Sequence, residues 1–242
     1  MKTTNAIIFG LAIVISAFFI ANAYSSRGKT TGNISVKGLG QVDFTSDLIV
    51  WEGSFSEASA NLQTAYSLLD RDRNTVLTYL KNKGIADSEI IFDAIDVRRL
   101  YKDLYNDEGK YIGQEMTGYK LTQSLTITSK NVDNVENVSR KISELINQGI
   151  NFYSSQPEYY YTKLADLKLE LIQAATQDAH ARAEKIAANS GATIGKLLSA
   201  QMGVFQITGL YEDEDYSWGG VFNTSSKEKT ASITVRLVYQ VR

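Results

Sequence analysis

From Tyr119 to Thr128 the chain alternates in character, with Tyr119, Leu121, Leu125 and Ile127 on one side and Lys120, Thr122, Ser124, Thr126 and Thr128 on the other. A period of two belongs to a strand, and one apolar face opposite one polar face belongs to an antiparallel sheet covered on a single side. The same rhythm places Ile49, Trp51, Gly53 and Phe55 opposite Glu52 and Ser54. It returns at the C-terminus, where Ile233, Val235, Leu237, Tyr239 and Val241 alternate with Ser232, Thr234, Arg236 and Gln240. Ile34 and Val36 begin a further strand that leads into Gly38-Leu39-Gly40, where the glycines predict a turn or bulge.

Helical spacing occupies the intervals between these strands. Leu62, Ala65, Tyr66, Leu69, Val76 and Leu80 form one stripe, with Ser59 or Asn61 placed to cap it and Gly84 to end it. Asn131 caps a second helix that turns Val135, Val138, Ile142, Leu145 and Ile146 toward the core before Gly149. A third helix, over residues 164–190, places Leu169, Ile172, Ala175, Ala179, Ala183 and Ile186 on one stripe and stops at Gly191. Its eight alanines predict a close approach to the sheet. Residues 90–101 read as a strand that turns at 106–109 into the alternating segment. Residues 150–162 read as a strand confined by Pro157 to an edge or bulge, and 197–208 and 231–242 close the chain as strands. The fold class is therefore α+β, an antiparallel sheet structure with about three helices packed on it.

Ahead of this domain, Lys2 precedes an apolar run over residues 6–21 that closes on Ala21-Asn22-Ala23, the pattern of a secretory signal peptide. Sixteen helical residues reach ~24 Å, short of a ~30 Å hydrocarbon core, which favours cleavage over a retained N-terminal membrane anchor. The predicted organisation is signal or anchor at 1–23, a polar linker at 24–32 and one domain at 33–242. The chain is then a protein of the periplasm or cell envelope, touching a membrane only through that segment. With 25 basic and 27 acidic residues and no basic block, nucleic acid is not an expected partner. The absence of cysteine excludes disulfides, thiolate catalysis and Cys-type zinc sites.

Reactive inventory is sparse. His180, the single histidine, lies mid-helix, cannot build a metal site alone, and reads as a solvated residue. Glu212, Asp213, Glu214 and Asp215 could gather a hard cation, but adjacent carboxylates point apart and lack the alternate spacing of a calcium loop, so a hydrated acidic loop is the expectation. Asp103, Asp107, Glu108 and Gly109 fail the same test. Gly38-Leu39-Gly40 lacks the lysine, hydroxyl and following helix of a phosphate loop. Tyr159, Tyr160, Tyr161, Tyr211, Tyr216 and Trp218 are interface candidates, because large rigid rings bury area at low entropic cost; core burial is the equal alternative for the tyrosine run. No catalytic, cofactor or metal residue is assigned.

The sequence Val36-Lys37-Gly38-Leu39-Gly40-Gln41-Val42, then Asp47-Leu48, Gly84-Ile85 and Gly118-Tyr119, resembles the SIMPL-domain (YggE-like) family of bacterial cell-envelope proteins. So does the helix carrying Ala174, Ala175, Asp178, Ala179, Ala183, Ile186 and Ala187 before Gly191 and Gly195. The resemblance spans about residues 33–241. It departs at Ser46, where that family usually has proline before the aspartate. It implies an α+β fold, an envelope location, a link to oxidative or other stress and no established catalytic residues. The resulting expectation is a non-enzymatic envelope protein that forms a homo-oligomer, without cofactor. The competing expectation is a small-molecule or cation-binding module using the acidic, aromatic loop 209–229.

Overall fold

Alternation and helical spacing resolve into ten strands and four α-helices among the described residues of the computed structural model, which are 2–27, 32–211 and 219–242. In chain order these are α1 (Lys2–Arg27), β1 (Asn33–Thr45), β2 (Leu48–Ser59), α2 (Leu62–Asn82), β3 (Ile90–Phe92), β4 (Asp96–Tyr105), β5 (Tyr111–Ser129) and α3 (Val132–Lys141). There follow β6 (Phe152–Ser154), β7 (Glu158–Tyr160), α4 (Leu164–Asn189), β8 (Ile194–Met202), β9 (Gln206–Gly209) and β10 (Glu228–Val241). The α+β reading with antiparallel pairing holds. The chain divides into two compact units, one of Met1–Gly40, Ile172–Gly203 and Ile233–Arg242, the other of Gln41–Leu171 and Val204–Ser232.

In the larger unit, β2 and β5 run antiparallel in unbroken register from Ile49 opposite Ser129 to Ser59 opposite Tyr119. β3 and β4 pair with β5, and β6 and β7 pair with β2. The inner face carries Ile49, Trp51, Phe55, Leu121, Leu125 and Ile127, all buried against Ala65, Leu69, Val76 and Leu80 of α2 and Val135, Val138 and Leu145 of α3 and its continuation. Asn61 caps α2, its Oδ1 accepting from the amides of Gln63 (2.8 Å) and Thr64 (3.2 Å). Gly84 ends that helix at φ 83°, and the next amide, that of Ile85, reaches back to the Leu80 carbonyl at 3.1 Å while both side chains are buried. Gly149 repeats the device after α3 has tightened into a 3₁₀ turn over Ile142–Gln148. Ile146 on that turn is exposed and not in the core as the spacing predicted, because three residues per turn rotate it outward.

In the smaller unit, β10 pairs with β8 over Val235–Val241, and α4 lies on this sheet. Two sequence expectations change here. β1 runs straight through Gly38 and Gly40, so these glycines form no turn. A Cβ at Gly38 would stand 2.1 Å from the Ala175 carbonyl oxygen and 2.5 Å from the Ala179 amide nitrogen, so the missing side chain is what admits the α4 backbone. The helix also presents a different stripe: Ala175, Ala179, Ala183 and Ala187 are buried, whereas Leu169 and Ile186 are exposed. Gly191 (φ 71°) ends α4 as expected.

Three predicted single strands are each two. Residues 90–101 divide into β3 and β4, 150–162 into β6 and β7 around Pro157, and 197–208 into β8 and β9. α1 continues through residues 24–27, which the sequence assigned to the linker. Its apolar side chains Leu11, Val14, Phe18, Phe19 and Ile20 face outward. Among the described residues no helix is long and apolar enough to cross a membrane.

Candidate functional site

The feature that stands out from the larger unit is an arm. β2 stops at Ser59, opposite Tyr119, but β4 and β5 go on pairing with each other to Tyr105 opposite Tyr111. Beyond Tyr119 the sheet is thus a two-stranded ribbon, about 20 Å long at ~3.3 Å per residue. Gly118 begins it, since a Cβ there would sit 2.5 Å from the Ser59 carbonyl oxygen. Register shifts between Leu100 and Tyr101 and between Leu104 and Tyr105 leave Thr117 and Ile112 of β5 unpaired and re-aim its side chains. The tip is closed by Asn106, whose Oδ1 accepts from the amides of Glu108 (3.1 Å) and Lys110 (2.9 Å), with Gly109 at φ 75°.

One face of the ribbon continues the face that α2 covers. It carries Val97, Arg99, Tyr101, Asp103 and Tyr105 from β4 and, opposite them, Leu121, Tyr119, Met116, Gln114 and Tyr111 from β5. Tyr105 and Tyr111 meet edge to face with centroids 6.0 Å apart, and the Gln114 amide donates to Asp103 at 2.8 Å. Apart from the buried Leu121 and half-buried Tyr119 at its foot, apolar exposure on this face is large, from 41% at Met116 to 58% at Tyr105. At the foot of the ribbon a groove of about 470 Å³ lies between Leu62 and Tyr66 of α2 and Ile95, Val97 and Leu121 of the sheet. The spacing of α2 predicted Leu62 and Tyr66 as core. They are exposed instead, because the first turn of α2 stands beside the point where the sheet narrows.

A family model for SIMPL, described as a protein of unknown function (DUF541), matches residues 34–239. The chain belongs to the SIMPL family. No curated protein matches it. The residues that carry SIMPL character in this chain serve its architecture. Gly38 admits α4, Gly84 and Gly191 end helices, Gly118 passes the end of β2, and the alanines of α4 pack inward. Asp47 ties the start of β2 to the chain before α4, accepting from the Thr162 amide (2.6 Å) and hydroxyl (2.7 Å). Burial pushes its carboxyl up, but these bonds and the Lys163 charge outweigh that and hold it below its ordinary value. Ser46, in place of the family's usual proline, donates its amide to the Lys227 carbonyl at 3.0 Å, a bond proline could not make.

The site residues suggested by the SIMPL sequence scatter. Tyr159 is buried in the subunit's own core, Tyr160 donates to Glu158 at 2.6 Å, and Tyr161 packs on Phe44 with centroids 4.8 Å apart. Tyr211 is 96% exposed at φ 65°. Tyr216, Trp218 and the acidic run Glu212, Asp213, Glu214 and Asp215 lie outside the described residues, so the loop 209–229 is described only in part. Among the described residues no group of three or more acidic or histidine side chains could hold a metal ion. His180 is half-exposed, with Nδ1 3.2 Å from the Tyr239 hydroxyl and Nε2 3.4 Å from Glu184. Burial, and then the Glu184 charge, push the Tyr239 phenol above its ordinary value.

Two buried charges escaped the sequence reading. Lys229 is fully buried and donates to the carbonyls of Tyr159 and, at 2.6 Å, Asn223. Asp72 is buried on α2 beside Arg71 at 3.0 Å. Burial and a hydrogen bond shared with Asp72 push the Glu57 carboxyl up, against the pull of Arg71. Single charged residues in otherwise regular segments give no sequence signal of burial; only their neighbours in space do.

Proposed function

We propose that this SIMPL protein is an exported component of the periplasm or cell envelope that acts through self-association and catalyses no reaction. The observation that carries the reading is the β4–β5 arm. A two-stranded ribbon is marginally stable alone in water, yet here one presents four aromatic or thioether side chains (Tyr101, Tyr105, Tyr111, Met116) to solvent, continuous with an apolar groove. Export is supported by Lys2, the apolar run and the Ala21-Asn22-Ala23 close, together with the outward apolar side chains of α1. The non-catalytic reading is supported by the structural roles of Gly38, Gly84, Gly118, Gly191 and Asp47.

The test is sedimentation velocity on the chain recovered from the envelope fraction, from one to one hundred micromolar. A concentration-dependent multimer is the expected result, and mass spectrometry of the same sample should place the N-terminus at Tyr24. A monomer throughout that range would remove the self-association reading.

A further inference from the structure

Resting on that self-association reading, we propose that two copies pair through the face of their β4–β5 arms that continues the α2-covered face of the sheet, antiparallel and about a two-fold axis at Tyr101. The occupant is a second copy because the face is complementary to itself. Along β4 it reads apolar Val97, cationic Arg99, aromatic Tyr101, anionic Asp103, aromatic Tyr105, all on one side of the strand. A two-fold axis at the middle residue exchanges the ends. It brings Arg99 against the partner's Asp103, roughly 7 Å to either side of the axis at ~3.3 Å per residue, and Val97 against the partner's Tyr105.

The surroundings of these residues agree. Arg99 makes no ion pair among the described residues, and Asp103 accepts from the neutral Gln114 amide, so each charge still lacks an ionic counterpart among them. On β5, Met116 lies opposite Tyr101 at the axis, so a thioether and a phenol ring from each copy fill the centre. The Tyr105–Tyr111 ring pair of one arm reaches the groove of the other, where Leu62, Tyr66, Ile95 and Val97 form an apolar floor. Opposite charges thus meet on both sides of the axis, the arrangement that fixes register in an isologous interface. A strip two strands wide lies at the small end of specific interfaces, so the contact is expected to be of micromolar strength.

Charge reversal tests this on the full chain as recovered from the envelope. Arg99→Asp alone and Asp103→Arg alone each set like charges across the axis twice, and each should weaken association about tenfold or more in sedimentation velocity. Mixing the two variants one to one sets the two introduced charges, opposite in sign, against each other in one contact and the two native charges in the other. The mixture should restore association to within about threefold of the native chain. All these positions are exposed, so melting temperatures should stay at the native value. Met116→Glu should also abolish pairing, because both copies bury that side chain only when the arms meet face to face; pairing edge to edge through β4 would spare it. Association that survives Met116→Glu, or single reversals that associate as tightly as the native chain, overturns the proposal while leaving self-association standing. A native chain that is monomeric removes the self-association reading itself.

Discussion

Gly38→Ala is the sharpest probe of how the smaller unit is assembled. Glycine within a strand forgoes about 0.5–1 kcal/mol of stability relative to alanine, so an open site would gain from the substitution. The site is closed: the new methyl would stand 2.1 Å from the Ala175 carbonyl oxygen, 2.5 Å from the Ala179 nitrogen and 2.8 Å from its Cβ. The nearest atoms are helix backbone, so relief requires α4 and β1 to separate by about 1 Å and no side-chain rotation can supply it. Overpacking of this kind costs about 1–3 kcal/mol, and a backbone obstacle belongs at the upper end. After the alanine gain is subtracted, about 2 kcal/mol of destabilisation remains, or roughly 4–8 °C in Tm for a chain of this size. Thermal unfolding followed by circular dichroism is the assay. Ala183→Leu, on the buried row of α4, should fall by a comparable amount, and Ala181→Leu, on its exposed side, should stay within about 0.5 kcal/mol. Adding Ala179→Gly should not rescue Gly38→Ala, because it leaves both backbone atoms in place. A Gly38→Ala chain that melts at or above the native temperature would refute the close-approach reasoning.

Two further outcomes follow from the larger unit. Lys229→Met keeps most of the side-chain volume but leaves the Tyr159 and Asn223 carbonyls without their buried donor, so denaturant unfolding should show a loss of about 2–4 kcal/mol; a neutral result would mean that these carbonyls find water. Asp47 has a folded-state carboxyl below its ordinary value of 3.8, so the folded chain binds fewer protons there than the unfolded chain. Its contribution is complete above that value and is lost as pH falls through the folded one. Asp47→Asn should therefore lower stability at neutral pH and flatten the acid limb below about pH 4, read from urea midpoints as a function of pH; an unchanged limb would show that Thr162 does not hold the ionised form.

What the sequence disclosed about this fold was whatever is local. Asn61 and the glycines at 84, 149 and 191 mark helix ends because a cap bond or a left-handed residue acts within one turn, and the alternation of β2 and β5 reports directly which face is covered. Information carried by distant neighbours was hidden. α4 has eight alanines and little contrast between its sides, so apolar spacing favoured Leu169 and Ile186, while Gly38 on β1 selects the row through Ala175 and Ala179. The break between β8 and β9 is likewise tertiary: the Gly203 amide reaches the Thr234 carbonyl at 2.8 Å, and a Cβ at Gly203 would meet the Thr234 hydroxyl at 2.6 Å. The hairpin of β4 and β5 was legible from its turn residues. That its outer half lacks a third strand was not, because the pattern of Val97, Tyr101 and Tyr105 is the same whether or not a helix covers it.

The absence of cysteine from the native chain makes the central claim directly measurable. Tyr101→Cys places one thiol per copy at the proposed two-fold axis, and a short bifunctional maleimide should convert the chain to covalent dimer at tens of micromolar. Ala181→Cys, exposed on α4, should stay monomeric under the same treatment. Efficient dimer at Tyr101→Cys, suppressed by adding Arg99→Asp, is the result expected of a protein that works through paired arms. Equal and sparse cross-linking at both positions would contradict it.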